Sequence, residues 1–579
     1  MKTSKLISLL LSGAMLAGLA ACGDSPANTP NTPSSTPNAT STQEASPYPE
    51  YLNLDGYRPI VKEGTDVTLS LMVRRDANAS SNINDNYFVK FIKEVLNVNL
   101  EIEEVFGDTA ERRNLMFASN DLKDIIINVG LSANNIVTYG QEEGQLLAMS
   151  DYINETLTPA IKASLEGEDM AVASNTTPDG KMYTIPNFNE VYEGFGDTIG
   201  MQRVFINQKW LDGVGLSVPK TLDEFVAMLR AFKEQDPMGV GKENAVPMLS
   251  SWGQDRIFLL NAFGWLGGSI LGTDPALDVD EKRVTIPCGE PEFAEYIKLM
   301  NTLYTEGLID EDFFTIDRTA ARALFVEGVV GVVCDSAPYV SMPETFSDYV
   351  AAAPVTSQWT QKAFTEKSKV YTLGYTFVSS KTKYPEVCMR LIDYMFTKEG
   401  SLYSYYGPAA GSEDTLGLVG GFTLDSDGAT IVFPDVVSKK RESEYDYRVN
   451  SIILSQAQPT DPRGRELYRQ ELLGIANPQY KALDLTNGDD HYRYLCFSAH
   501  QGFLVDGLPT AFLGSDLIDK TTDLYTVINS YVQSETARFI VGQRPLSELD
   551  SYFQELKNLG YDEYRQIYVD LYSDYTSGL

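Results

Sequence analysis

Few residue types here could do acid–base, nucleophilic or metal chemistry. The 579-residue chain has two histidines, His491 and His500. A Ser-His-Asp hydrolase or a histidine-rich metal site would have to be built from that pair. None of its five cysteines, Cys22, Cys288, Cys334, Cys388 and Cys496, sits in a Cys-x-x-Cys pair. Zinc ribbons and thioredoxin-like redox chemistry therefore have no support. Asp and Glu total 80 against 46 Lys and Arg, a net charge of −34. Such a chain is a poor candidate for gripping nucleic-acid phosphates or an anionic membrane surface. Paired carboxylates are easy to find among so many acids, so a glycosidase-type acid and base stays open on composition. Aromatic rings are the other abundant resource, with 33 Tyr, 26 Phe and four Trp, at 210, 252, 265 and 359. Trp252 is followed by Gly253, Gln254, Asp255 and Arg256, a polar cluster beside a ring.

The elements that must position such groups alternate between strand and helix. Val67, Leu69, Leu71 and Val73 alternate with polar or smaller neighbours and read as a strand. Phe88, Phe91, Ile92 and Val95 recur at helical spacing. Val98, Leu100 and Ile102 read as a second strand, Thr109 to Ala118 as a helix, and Ile125-Ile-Ile127 as a buried strand. This order predicts an α/β fold with a largely parallel sheet, whose ligands bind beyond the carboxyl ends of the strands. Asp85 and Asn86 follow the first strand and so lie near such a site, although both could instead cap the next helix. A second block starts near Gly200, with a strand at Val204-Phe-Ile206 and a capping box at Thr221 and Glu224.

Lys2 and Lys5 precede a short apolar run, Leu6 to Ala21, that ends in Leu19-Ala-Ala-Cys22. The run is short for a membrane span, and the small residues suit a signal peptidase. Cys22 so placed resembles the lipobox of bacterial lipoproteins. By that resemblance it is the first mature residue and carries lipid on its thiol. From residue 23 to about 50 the chain is rich in Pro, Ser, Thr and Asn with no apolar period, a disordered tether.

Several phrases then follow one another in a telling order. They are Thr177-Pro-Asp-Gly-Lys-Met-Tyr-Thr-Ile-Pro186, Arg203-Val-Phe-Ile-Asn-Gln-Lys-Trp-Leu211 and Leu216-Ser-Val-Pro-Lys-Thr-Leu-Asp-Glu-Phe225. After them come Phe325-Val-Glu-Gly-Val-Val-Gly331, Tyr384-Pro-Glu to Gly400, and Phe539-Ile-Val-Gly542 with Leu559-Gly560. Together with the lipobox, they resemble the sugar-type extracellular solute-binding lipoproteins of ABC importers, in the large Gram-positive branch related to maltose-binding protein. The resemblance implies two discontinuous α/β lobes joined by a multi-strand hinge, with ligand in the cleft. The expected division is a signal peptide over 1–21, a lipidated cysteine and linker over 22–54, one lobe from 55–192 and 372–450, and another from 193–371 and 451–579. It implies a lipid-anchored monomer on the extracellular face of the membrane. That monomer captures an oligosaccharide, hands it to permease subunits, needs no cofactor and binds no nucleic acid. An extracellular carbohydrate-active enzyme, or a sensory or adhesive lipoprotein without transport, are the alternatives.

Sugar rings want aromatic platforms with planar polar partners. Trp252 is the stacking candidate, with Asp255 in its polar cluster. The resemblance adds Asp335 and Tyr339 in a polar-Pro-aromatic turn, Arg203 near the hinge and Tyr375 near the second crossover. Trp210 is expected in the core. Family members often carry a calcium loop where this chain reads Asp236-Pro-Met-Gly-Val-Gly-Lys-Glu-Asn-Ala-Val-Pro247. Met238 and Val240 stand where oxygen ligands would be needed, so no metal is expected there. The four cysteines beyond Cys22 are expected to be free thiols.

Overall fold

The computed structural model describes residues 46–76, 79–107, 109–188, 203–250, 253–335, 338–342, 344–367, 371–418, 421–424, 431–433, 444–455, 458–463 and 488–578. Contacts gather Tyr48–Leu579 into one unit, apart from Met1–Pro47. Cys22 and Trp252 lie outside the described residues.

Two four-stranded sheets organise the chain. The first contains β1 (Thr68–Arg75), β2 (Asn99–Phe106), β3 (Ile125–Ile127) and, from far along the sequence, β8 (Thr376–Val378). Its order is β8-β3-β1-β2, parallel except for β8, which runs antiparallel to β3. The second contains β4 (Val204–Asn207), β5 (Val246–Ser250), β6 (Val330–Cys334) and β7 (Tyr349–Ala351). Its order is β7-β4-β6-β5, with β6 parallel to β5 and β4 antiparallel to both neighbours. The expected βαβ order thus holds for the first three strands. The antiparallel partner is supplied by a segment some 250 residues later in the chain.

Strand alternation sends side chains to both faces of each sheet. In the first sheet Leu69, Leu71, Val73, Ile125 and Ile127 enter one core with α1 (Tyr87–Glu94). Met72 and Ile126 enter another, closed by Phe512, Leu513 and Ile518. In the second sheet Val204, Ile206 and Val332 meet Trp210 and α2 (Leu222–Gln235), while Phe205, Leu249 and Val333 meet Leu495 and Cys496. Trp210 is fully buried, as expected of a core ring, and the capping box of Thr221 and Glu224 forms at the start of α2. Where both faces are covered, as at β3 (III) and β6 (VGVVC), the strand is a continuous apolar run, whereas β1 and the edge strand β2 keep polar residues.

Within the range 22–54 expected as a linker, the described residues from Tyr48 onward pack against the first core. Leu52 is buried in the first core and bridges to Val61. Its strap is held by a buried ionic knot. Arg390 donates to the carbonyls of Gly56 (2.8 Å) and Leu157 (3.0 Å). Asp393 accepts from the Tyr57 hydroxyl (2.5 Å) and the Ile161 amide (2.7 Å). The physical reason is apolar and ionic anchoring after residue 48, where the proline-rich composition ends. Ile452, Ile453 and Leu454 also lie in the first core, although they follow residue 450. Two short ribbons pair distant segments, Tyr371–Thr372 with Asn187–Phe188, and Thr365–Glu366 with Leu504–Val505. Cys288, Cys334, Cys388 and Cys496 are buried free thiols.

Candidate functional site

In open α/β sheets the carboxyl ends of parallel strands are the usual place for ligands, because loops there converge while the strands stay rigid. The sequence-expected residues fall at two such ends.

At the end of the first sheet, one buried ion pair sits among neutral hydrogen bonds. Arg75, nearly fully buried, pairs with Glu104 (2.7 Å) and donates to the carbonyl of Val449 (3.3 Å). Buried Asn86 donates to the carbonyls of Val449 (3.3 Å) and Ile453 (2.8 Å). Asn450 Oδ1 accepts the amides of Ser80 (2.8 Å) and Ser81 (3.1 Å). Ser455 donates to the carbonyl of Arg74 (2.9 Å) and accepts from Asn128 Nδ2 (3.3 Å). The Asn128 amide in turn donates to the carbonyl of Tyr375 (2.7 Å), a half-buried residue just before β8. Asp85 is exposed in the short turn Ile83–Asp85. Asn86 makes no side-chain cap bond to α1, because its amide is committed to residues 449 and 453 instead.

The end of the second sheet is aromatic and charged. Register places the segments carrying Arg203, Asp255 and Asp335 side by side, since Cys334 pairs with both Val204 and Ser250. After β5 the chain enters α3 (Gln254–Asn261) through Gly253 at φ +69°. A Cβ there would come within 2.9 Å of the movable Arg256 guanidinium, so it is the left-handed backbone that favours glycine. Asp255 is 1% exposed, and burial pushes its carboxyl up against the pull of Arg256, Ser250 and the Arg256 amide. Asp335 is 0% exposed and forms a two-pronged pair with Arg322, at 2.7 and 3.0 Å. Arg322 sits in α4 (Arg318–Glu327), capped by Asp317. Tyr339 is half-buried, 5.3 Å from the ring of Tyr492. The Arg203 guanidinium lies over Tyr492 at 5.8 Å.

Tyr492, on α5 (Gly488–Ser498), was not singled out by sequence reading. It links Arg203 to Tyr339 across a separation that no local pattern records. Arg322 and Asn450 were also missed. Both act through partners far away in sequence or in another element.

Asp236 uses both carboxylate oxygens on its own loop, accepting the amides of Val240 and Gly241 at 2.9 Å each. Among the described residues no cluster of three or more His, Cys, Asp or Glu is placed to hold a metal. A surface cavity of about 360 Å³ lies between Leu216–Lys220 and Met228 of α2 and touches none of the expected site residues.

Residues 79–401, more than half of the chain, match the model of a family described as bacterial extracellular solute-binding protein. The chain belongs to that family. Over almost its whole length it is 25% identical to the fructooligosaccharide ABC transporter substrate-binding protein FusA of Streptococcus pneumoniae serotype 4, covering 98% of each chain. The solved structure of FusA with kestose superposes with a TM-score of 0.68 at 21% identity, over 88% of this chain and 100% of that one. An HMO-binding solute-binding protein of Bifidobacterium longum infantis superposes with a TM-score of 0.70 at 20% identity, over 88% and 99%. A polygalacturonan/rhamnogalacturonan-binding protein of Bacillus subtilis strain 168, YtcQ, is 26% identical over 42% of this chain and 45% of its own. This solute-binding protein therefore has the two-lobed α/β fold of periplasmic binding proteins. No helix among its described residues is long and apolar enough to cross a membrane.

Proposed function

We propose that this protein captures an oligosaccharide between two lobes and delivers it to an ABC importer. Full-length similarity to a fructooligosaccharide-binding protein supports the ligand class. The observation that carries the reading is the aromatic and charged end of the second sheet. There Arg203, Tyr339 and Tyr492 form one continuous set, with Asp255 and Asp335 beside them. Flat rings take the C–H faces of sugars, and fixed polar groups take their hydroxyls. Asp85 and Tyr375 contribute from the first sheet end, and Trp252 from the segment between β5 and α3. One lobe is built on the first sheet and the other on the second. The ribbons at 187–188 with 371–372 and at 365–366 with 504–505 form the hinge on which they close. The segment through Arg463 belongs with the first lobe, since Arg463 binds Asp461 and Glu168 there.

Binding is not followed by turnover. The family to which the chain belongs is one of binding proteins, and Asp335 is committed to Arg322 rather than left as a free nucleophile. The protein acts as a monomer, held at the outer face of the membrane by lipid on Cys22. Replacing Cys22→Ser should release it into the medium or leave it unprocessed. Membrane attachment of a fully processed mutant would remove the anchor from this account.

Calorimetric titration against an array of neutral and acidic oligosaccharides tests the ligand class. Tyr339→Ala and Trp252→Ala should each weaken binding about tenfold, a ring stack plus its apolar area. Unchanged affinity in both would displace the site, and glycan hydrolysis by the wild type would make it an enzyme.

A further inference from the structure

We propose that Phe314 is a further aromatic platform of this site, one that selects a neutral sugar ring; the proposal rests on the carbohydrate reading above. Residues 308–309 run beside β5. The Met248 amide donates to the Leu308 carbonyl (3.1 Å), and Ile309 bridges Met248 in parallel. The chain after Ile309 therefore emerges at the same sheet end as Ser250, Gly253 and Asp255. A tight turn fixes it there. Asp310 Oδ1 accepts the Asp312 amide (2.8 Å), and the Asp312 carbonyl accepts the amides of Thr315 and Ile316 (2.7 Å each). At its centre are two rings with opposite fates. Phe313 is buried, with the Arg256 guanidinium 5.0 Å above it, and Phe314 meets it edge-on at 5.0 Å and 83°. Phe314 itself is 42% exposed.

An isolated exposed ring needs no explanation by itself. This one is braced from behind by Phe313 and lies four residues before α4, whose Arg322 holds Asp335. Glu311 and Asp312, three and two residues before it in the same turn, are exposed carboxylates. Carboxylates accept bonds from sugar hydroxyls but repel a uronate. A ring here would thus be neutral, with a C–H face on Phe314 and hydroxyls toward the acids.

The test uses wild type, Phe314→Ala and, as a control at another exposed apolar side chain, Val527→Ala. Each is titrated against an oligosaccharide array that includes kestose, stachyose and trigalacturonate, alongside thermal melts. The expected result is binding of a neutral member by wild type and Val527→Ala. Phe314→Ala should bind it about fivefold to tenfold more weakly at an unchanged melting temperature. Wild-type affinity in Phe314→Ala, or a preference for trigalacturonate that Phe314→Ala retains, overturns the role of Phe314 and leaves the carbohydrate reading standing. Wild type that binds no member of the array overturns the carbohydrate reading, and the proposal with it.

Discussion

At the end of the first sheet, Asn86, Asn450 and Ser455 hydrogen-bond backbone groups, Asn128 donates to the Ser455 hydroxyl, and segment 449–455 is fastened down by them. At the end of the second sheet the work is done by rings and ions, Arg203 on Tyr492, Tyr492 against Tyr339, and Asp335 on Arg322. The difference teaches how a binding protein can keep one side preformed and make the other selective. At the first end, short amides surround a single Arg75–Glu104 pair. Rings and guanidinium groups give contact area and direction. They also carry a risk, since each buried charge depends on a partner.

The contrast can be broken most sharply at Arg322. Replacing it with alanine leaves Asp335 buried without that counter-charge and should cost about 3 kcal/mol or more. Chemical denaturation measures this, and a loss below about 1 kcal/mol would mean the second end is no more charge-dependent than the first.

Acid should separate the regions next. Burial pushes His500, beside Cys496, down from 6.5 to about 4, so the folded protein binds that proton less readily than the unfolded chain. His500 therefore removes stability as pH falls from about 6.5 to about 4, on the order of 3 kcal/mol. Burial pushes Asp393, in the knot of the first core, up from 3.8 to about 6 against its bonds with Tyr57, Ile161 and Arg390. Its sign is opposite: stability is fully present below the unfolded value of 3.8 and is lost as pH rises through about 6. Urea unfolding from pH 4 to 7 should show a shallower acid loss in His500→Phe and a steeper one in Asp393→Asn. Parallel curves for wild type and both variants would cancel the distinction.

A smaller effect belongs to the polar rim. Asn450→Ala removes the acceptor for two amides at a half-exposed position and should cost about 1 kcal/mol. A loss as large as that of Arg322→Ala would make the two ends equivalent. The smallest effect is expected from chelation. Asp236 already serves the Val240 and Gly241 amides, so a chelator should leave the melting temperature unchanged, whereas Asp236→Ala should lower stability by about 1 kcal/mol. A chelator-induced drop that Asp236→Ala abolishes would show an ion in the loop.

Much of the scaffold was legible because its periods are local. Leu69, Leu71 and Val73 alternate, Phe225, Met228, Leu229 and Phe232 recur at helical spacing, and Thr221 with Glu224 marks a helix start. The second sheet end was partly legible too. Arg203, Asp255, Asp335 and Tyr339 stand in recognisable phrases, and strand register brings those phrases to one edge. Tyr492 was not legible, since its contacts lie with residues 203 and 339 and its helix carries no distinguishing pattern. Phe314 was missed for another reason, that neighbouring phenylalanines look alike until one is buried and the other is not.

By itself the sequence determined the α/β alternation, the proline-rich composition of residues 23–50, the absence of a Cys-x-x-Cys pair and the family order of phrases, because each is written within a few turns or strands of chain. Only the tertiary structure decided that β8 completes the first sheet from residue 376, that Val449, Ile452, Ile453 and Leu454 enter the core of that sheet, and that Asp335 is committed to Arg322. Those outcomes depend on which distant surfaces bury one another, and burial is a property of the assembled chain.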